Sequence, residues 1–328
     1  MGSKFIGIEI GNDTIKLALY KKGILTKMAV QAMPDNLVHE GVPTSSEVLS
    51  SFIKKMMKKH KIRAKECAFV IPPQRVVSLR LSLPYMNDQK LRMNLPFEFR
   101  DYIGTEFEQY DYDYIVLGIQ DQTMDLYAAA CKKNFVETYY EIFKRAGTTL
   151  KVAMPSEMAW LNLVSKRKKE LPSQIAIADL GLHRARVNIF ANGDFAMGKD
   201  IDYAGQMLDE SIAGILAVDP LVARRKKEEN QDEILNADYM QEPYAAIALE
   251  IMKTINFYNF SRSSDDPLTD LYFCGGTAQI EPLREMIART TGLKLHHVGE
   301  LLGLEDTDLR QPLSLVCAQA AGAAIQLI

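Results

Sequence analysis

Three places in the chain join a strand-like apolar run to residues suited to phosphate or metal chemistry. The first is Phe5-Ile6-Gly7-Ile8-Glu9-Ile10-Gly11, followed by Asn12-Asp13-Thr14 and then Lys16. Phosphate groups bind where consecutive backbone N–H groups point into a tight turn, and glycine permits both that turn and a close approach. Gly11, Asn12, Asp13 and Thr14 supply such a turn. Glu9, just before it, offers the hard oxygen ligand that suits a magnesium ion, and Lys16 on the outgoing strand offers a point charge for a phosphate. The second place, Ile175-Ala176-Ile177-Ala178-Asp179-Leu180-Gly181, repeats the acid and the glycine. Taken singly, the first segment also reads as a plain hairpin with a surface lysine, and Asp179 as a turn-capping aspartate. Taken together, they place two carboxylates where one metal could use both. The third place is Leu271-Tyr272-Phe273-Cys274-Gly275-Gly276-Thr277-Ala278, with a helix expected from about Pro282. A double glycine between strand and helix lets an adenosine ring and its phosphate lie on bare backbone, or serves a sharp connection.

Positioning these residues requires two similar frameworks. After Gly11 come Ile15 to Tyr20, a Lys21-Lys22-Gly23 turn and an apolar run from Ile24; after Gly181 come Val187 to Phe190, an Ala191-Asn192-Gly193-Asp194 turn and a run from Phe195. Superposed without a gap, Glu9 falls on Asp179, Gly11 on Gly181, Leu19 on Ile189 and Gly23 on Gly193. Coincidence seldom keeps a second strand and its turn glycine in register, so an internal duplication of a three-stranded meander is expected. Helices are expected at 47–60, 204–218 and 243–260 and short buried strands at 68–71 and 271–274, which makes the class α/β. Residues 84–149 read as an inserted unit: a helix over 91–102, a hairpin over 112–131 turning at Gln120-Asp121-Gln122-Thr123, and a helix over 135–146 ended by Gly147. The domains expected are thus a first lobe (1–83 and 150–172), the inserted subdomain (84–149) and a second lobe (173–328). The charged run 224–233 reads as a solvated loop or helix end.

Length and composition agree with two lobes. A chain of 328 residues exceeds the usual single core, and 47% hydrophobic with 25% charged residues is ordinary globular composition. A net charge of −3 with interspersed signs argues against nucleic acid as a partner. Cys67, Cys131, Cys274 and Cys317 lie far apart in apolar stretches and read as buried thiols of a reducing compartment. The start, from Met1 to Ile6, lacks a signal-like apolar region, and the uncharged 311–328 segment reads as a buried helix rather than a membrane span.

In this order, the elements resemble the actin-like ATPase superfamily: Glu9-Ile10-Gly11 with Lys16 is similar to its first phosphate motif, Asp179-Leu180-Gly181 to its second and Gly275-Gly276-Thr277 to its adenosine motif. Ala204-Gly205 onward resembles the first connecting helix and Ala318 to Ala324 the second. Within the superfamily, Leu83-Pro84-Tyr85-Met86, Phe97 to Ile103, Tyr112-Asp113-Tyr114, Ala128 to Lys132, Ala146-Gly147 and Glu250 to Tyr258 resemble the PilM family of type IV pilus assembly proteins. The resemblance implies a two-lobed, duplicated RNase H-like ATPase fold with a subdomain inserted in the first lobe, binding ATP and Mg2+. It also implies a cytoplasmic scaffold, peripheral to the inner membrane. Its partner would be the cytoplasmic N-terminal segment of a PilN-like inner-membrane protein, alongside other pilus platform proteins, with homo-oligomers an open question.

Two departures from the family pattern matter. After Gly181 the family carries small hydroxylated residues, whereas here Leu182-His183-Arg184-Ala185-Arg186 follows. Phosphate contact could pass to His183 or Arg184, or be lost to bulk. By position Glu157 resembles the water-orienting residue of these ATPases, and it equally reads as a helix-start glutamate beside Ser156. Slow or absent ATP turnover is the expectation. The rivals are an FtsA-like polymerising division protein and a small-metabolite kinase of the same superfamily.

Overall fold

The computed structural model describes residues 4–261, 266–304 and 312–325. Met1 to Ser3 and the last residues of the uncharged C-terminal segment lie outside the described residues. The chain divides into two compact units, residues 1–162 with 319–328 and residues 163–318.

In the first unit, β1 (Lys4–Ile10), β2 (Thr14–Lys21) and β3 (Ile24–Ala32) form an antiparallel meander. A two-residue pairing of β4 (Val38–His39) with β5 (Val42–Pro43) leads to α1 (Ser46–Lys59). That helix starts where the Ser45 side chain accepts the Val48 N–H, and Glu47 and Lys58–Lys59 suit its dipole. β6 (Glu66–Ile71) joins β1 in parallel. β7 (Val76–Pro84), α2 (Asp88–Glu98), α3 (Arg100–Ile103), β8 (Tyr110–Gln120) and β9 (Thr123–Lys132) come next. Then follow α4 (Lys133–Ala146), β10 (Thr149–Pro155) and α5 (Ser156–Arg167). The main sheet runs β10-β6-β1-β2-β3, and β7-β9-β8 makes a separate three-stranded sheet.

That small sheet is the inserted unit. Alternate residues Val77, Leu79, Leu81 and Leu83 of β7 face Leu91, Leu95 and Phe99 of the helical segment together with Met124, Leu126 and Ala128 of β9. The insertion thus begins at β7, ahead of residue 84. Its expected last helix, α4, instead belongs to the main core: Tyr139, Ile142 and Phe143 are fully buried there, and Tyr139 stacks on Phe69 of β6 with centroids 4.3 Å apart. The reason is its apolar face, which a three-stranded sheet already covered by α2 cannot take.

The second unit repeats the pattern. β11 (Gln174–Leu180), β12 (Ala185–Ala191) and β13 (Asp194–Ile201) form the meander. α6 (Gly205–Leu216), α7 (Pro220–Glu228) and α8 (Gln241–Phe260) follow. β14 (Asp270–Cys274), α9 (Glu281–Thr291) and β15 (Lys294–His297) complete the sheet in the order β13-β12-β11-β14-β15. α7 ends inside the charged run 224–233, the helix end that is one of its two readings; Asp219 caps it through the Leu221 N–H, and Pro220 sits in the first turn.

Two short helices end the described chain, α10 (Pro312–Val316) and α11 (Ala318–Ala324). The expected second lobe ran to the C-terminus, but residues from 319 group with the first unit. There α11 crosses β1 so closely that a Cβ on Gly7 would lie 1.7 Å from the Ala320 carbonyl oxygen. Asn162 fixes it by donating to the Gly322 and Ile325 carbonyls at 3.1 and 3.2 Å. No described helix is long and apolar enough to cross a membrane.

Candidate functional site

The duplication extends to backbone detail. Gly11 N–H bonds the Thr14 carbonyl at 2.9 Å, and Gly181 N–H bonds the Arg184 carbonyl at 2.9 Å, closing two identical loops. Both meanders shift register at the same step, between Leu19 and Tyr20 and between Ile189 and Phe190. Both then turn through two left-handed residues, Lys22-Gly23 and Asn192-Gly193. This is the turn whose twist matches a two-residue hairpin.

In the first unit, Glu9 and Lys16 are directly opposed across β1 and β2, and the Lys16 ammonium donates to Glu9 Oε1. Both side chains are more than four-fifths buried, at 17% and 18% exposure. A group able to approach a phosphate and a group able to approach a metal therefore neutralise each other. The loop itself is tied down: Asn12 Oδ1 accepts the Glu40 N–H at 3.0 Å and the Asp13 carbonyl accepts the Met33 N–H at 2.8 Å. Asn12 thus serves the loop's shape through its side chain. Glu157 opens α5, is 7% exposed and accepts a hydrogen bond from Ser156 Oγ at 3.2 Å.

In the second unit four of the expected residues meet. The Gly181 carbonyl accepts both the Gly205 N–H at 3.0 Å and the Thr277 hydroxyl at 2.9 Å. A Cβ on Gly205 would lie 2.2 Å from Thr277 Oγ1, and one on Gly275 would lie 2.3 Å from the Leu180 carbonyl oxygen. Gly275 also has φ near +94°, so glycine is needed there twice over. Gly276 is exposed, with nothing within 4 Å of where a Cβ would stand. The first N–H groups of α6 do not await an anion, since Gly205 and Gln206 donate to the Gly181 and Leu182 carbonyls at 3.0 and 2.7 Å.

The bulky residues after Gly181 have partners in their own unit. His183 Nδ1 lies 2.8 Å from Gln206 Oε1, and Gln206 Nε2 donates to Glu210 Oε1 at 2.9 Å. Arg184 Nη2 and Arg186 Nη1 donate to the two oxygens of Asp200, each at 2.8 Å. Burial pushes the Asp200 carboxyl up, but the Arg186 hydrogen bond and both guanidinium charges outweigh it and hold it below the usual carboxylate range. Asp179 sits opposite Arg186 in the strand register, as Glu9 sits opposite Lys16.

Sequence reasoning missed Asp200, Arg186 and a buried ion pair beneath α6. Lys227 Nζ reaches Asp209 Oδ1 at 2.5 Å and the Gly205 carbonyl at 3.0 Å. Burial raises the Asp209 carboxyl despite that ammonium. The signal for the cross-strand base was present: in the repeat that aligns Glu9 with Asp179, Lys16 aligns with Arg186.

Among the described residues, no three metal-ligating side chains cluster. By type, the Glu9 carboxylate and the Lys16 ammonium of the first unit suit a hard cation and a phosphate, and within the second unit Gly276 leaves backbone open.

A family model described as type IV pilus assembly protein PilM matches residues 7–306. No curated protein matches the chain in sequence. Among solved structures, one described as the PilM-PilN type IV pilus biogenesis complex is similar with a TM-score of 0.82 at 20% identity, covering 99% of this chain and 98% of the other. The ethanolamine utilization protein EutJ from Carboxydothermus hydrogenoformans is similar with a TM-score of 0.62 at 15% identity, covering 99% and 90%. The α/β fold with its duplicated meander is that of the actin-like ATPases.

Proposed function

The chain belongs to the type IV pilus assembly protein PilM family, and from that premise we propose that it is an ATP-binding docking scaffold of a pilus or related secretion platform. Its partner is the cytoplasmic N-terminal segment of a PilN-like inner-membrane protein, which holds the chain at the inner face of the cell membrane. The observation that carries this reading is the span of the family match, which takes in both hairpin repeats and the whole inserted sheet. A neighbour of the same fold over 99% of this chain comes from a complex with PilN.

Within the first unit the Gly11–Thr14 backbone and Lys16 are the groups suited to phosphate, and within the second unit Gly181, Gly275, Gly276 and Thr277 are those suited to nucleotide. Magnesium would neutralise phosphate charge when bound, and Glu9 in the first unit and Asp179 in the second are each a carboxylate of the type that could hold it. With nucleotide bound, Lys16 would exchange Glu9 for a phosphate oxygen, one charge-assisted hydrogen bond for another. Glu157, which accepts a hydrogen bond from Ser156, is the residue that would orient water, and turnover would be slow or absent. Nucleotide is a clamp here, and the platform's other proteins are further partners.

The test is fluorescence anisotropy of a labelled peptide with the N-terminal cytoplasmic sequence of the PilN-like protein from the same organism, with and without MgATP. Saturable binding that tightens with ATP is expected; no binding in either condition contradicts the proposal.

A further inference from the structure

The two hairpins differ at one rung. In the first unit Lys16 pairs across β3 with Val30; in the second, Arg186 pairs across β13 with Asp200. Position 184, which corresponds to Thr14 in the first hairpin, is also an arginine, and it uses the other oxygen of the same carboxylate. Asp200 therefore spends its two oxygens on two guanidinium groups.

These two arginines are not held alike. Arg186 is 22% exposed, also bonds Asn188 Oδ1 at 3.3 Å, and lies over Gly198, where a Cβ would come within 2.5 Å of its Nη2. Arg184 and Asp200 are 35% and 49% exposed, so their bond is open to water and to competing anions. The neighbouring donors are already used: the first N–H groups of α6 bond the loop carbonyls, and His183 bonds Gln206. Arg184 is thus the cation that a phosphate at this loop can recruit, and a guanidinium takes carboxylate or phosphate in the same forked geometry.

We propose that Asp200 is a positioning residue that sets the anion affinity of the second hairpin, by holding Arg184 against β13 until a phosphate group displaces it. Arg186 stays on the carboxylate and keeps β12 and β13 in place, while Arg184 moves between two acceptors. The proposal rests on the reading of this hairpin as a phosphate loop.

Calorimetric titration of the full chain with ATP and with inorganic tripolyphosphate, at fixed ionic strength, tests it. Asp200→Asn is expected to bind both about tenfold more tightly than wild type, the equivalent of one competing charge-assisted bond removed. Asp200→Glu, which keeps the charge, stays within about twofold of wild type, and Asp200→Asn with Arg184→Ala loses the gain. If Asp200→Asn does not give folded protein by its thermal transition, Asp200→Ser is titrated in its place with the same expectation. Wild-type binding with no gain in the neutral variant, or a gain that survives Arg184→Ala, overturns the role of Asp200 alone. No binding by wild type or any variant overturns it together with the phosphate reading.

Discussion

The two meanders share a backbone and differ in what presses on them. In the first, α11 lies on β1 at Gly7, and the acid and base at the loop mouth bond each other. In the second, the residue equivalent to Gly7 is the fully buried Ile177, and a second acid joins the ladder at Asp200. A duplicated framework thus keeps its turns, because covalent geometry dictates them, while packing and charge diverge with the neighbours each copy acquires.

Exchanging features between the copies probes that difference. Gly7→Ile gives the first copy the residue of the second and drives a side chain into the Ala320 backbone, which cannot yield as a flexible side chain would. A loss of about 4 kcal/mol or more is expected from denaturant unfolding, or failure to fold. Next in size is the buried pair of the second unit: Asp209→Ala leaves Lys227 without its carboxylate and should cost about 3–5 kcal/mol by the same measurement.

Asp200→Val makes the second ladder like the first. Because Asp200 is half exposed, the loss should be about 1 kcal/mol at neutral pH. The folded-state value of this carboxyl is depressed, so its contribution is present above the unfolded value of 3.8 and is lost as pH falls through the folded one. The wild type minus variant difference should therefore shrink on acidification, read from unfolding midpoints between neutral pH and strong acid. The smallest effect is at the shared turn. Gly23→Ala and Gly193→Ala each place a side chain at positive φ and should each cost about 1 kcal/mol. The second is only slightly worse, since the atoms it meets are the flexible Lys168 stem.

Much of this architecture was legible because it is local. Alternating apolar residues, Lys22-Gly23, Asn192-Gly193 and the Asp121-Gln122 turn, both residues at positive φ, specify hairpins from their own residues. Gly147, at φ near +98°, stops α4 where expected. The parallel edge strand β10 was not legible, since its partner β6 is remote in sequence and nothing in Thr149–Pro155 names it. Nor was the crossing of α11 over Gly7, which depends on a helix at the far end of the chain. β7 and α7 did carry signals, an alternating Val-Ser-Leu-Arg-Leu-Ser-Leu run and an Asp-Pro helix start. At the site, Gly181, Gly205, Gly275 and Thr277 were expected as nucleotide-binding residues of separate motifs; the structure brings them against one turn, where Gly205 and Gly275 leave no room for a Cβ. Asp200 escaped notice because an acid on a third strand acquires meaning only once register pairs it with two arginines.

Calorimetric titration of wild type and Lys16→Ala with MgATP tests the central claim most directly. Saturable binding by wild type, weakened at least about tenfold when the ammonium is removed, is the predicted result. Equal affinity of the two proteins, or no heat of binding in either, would contradict it.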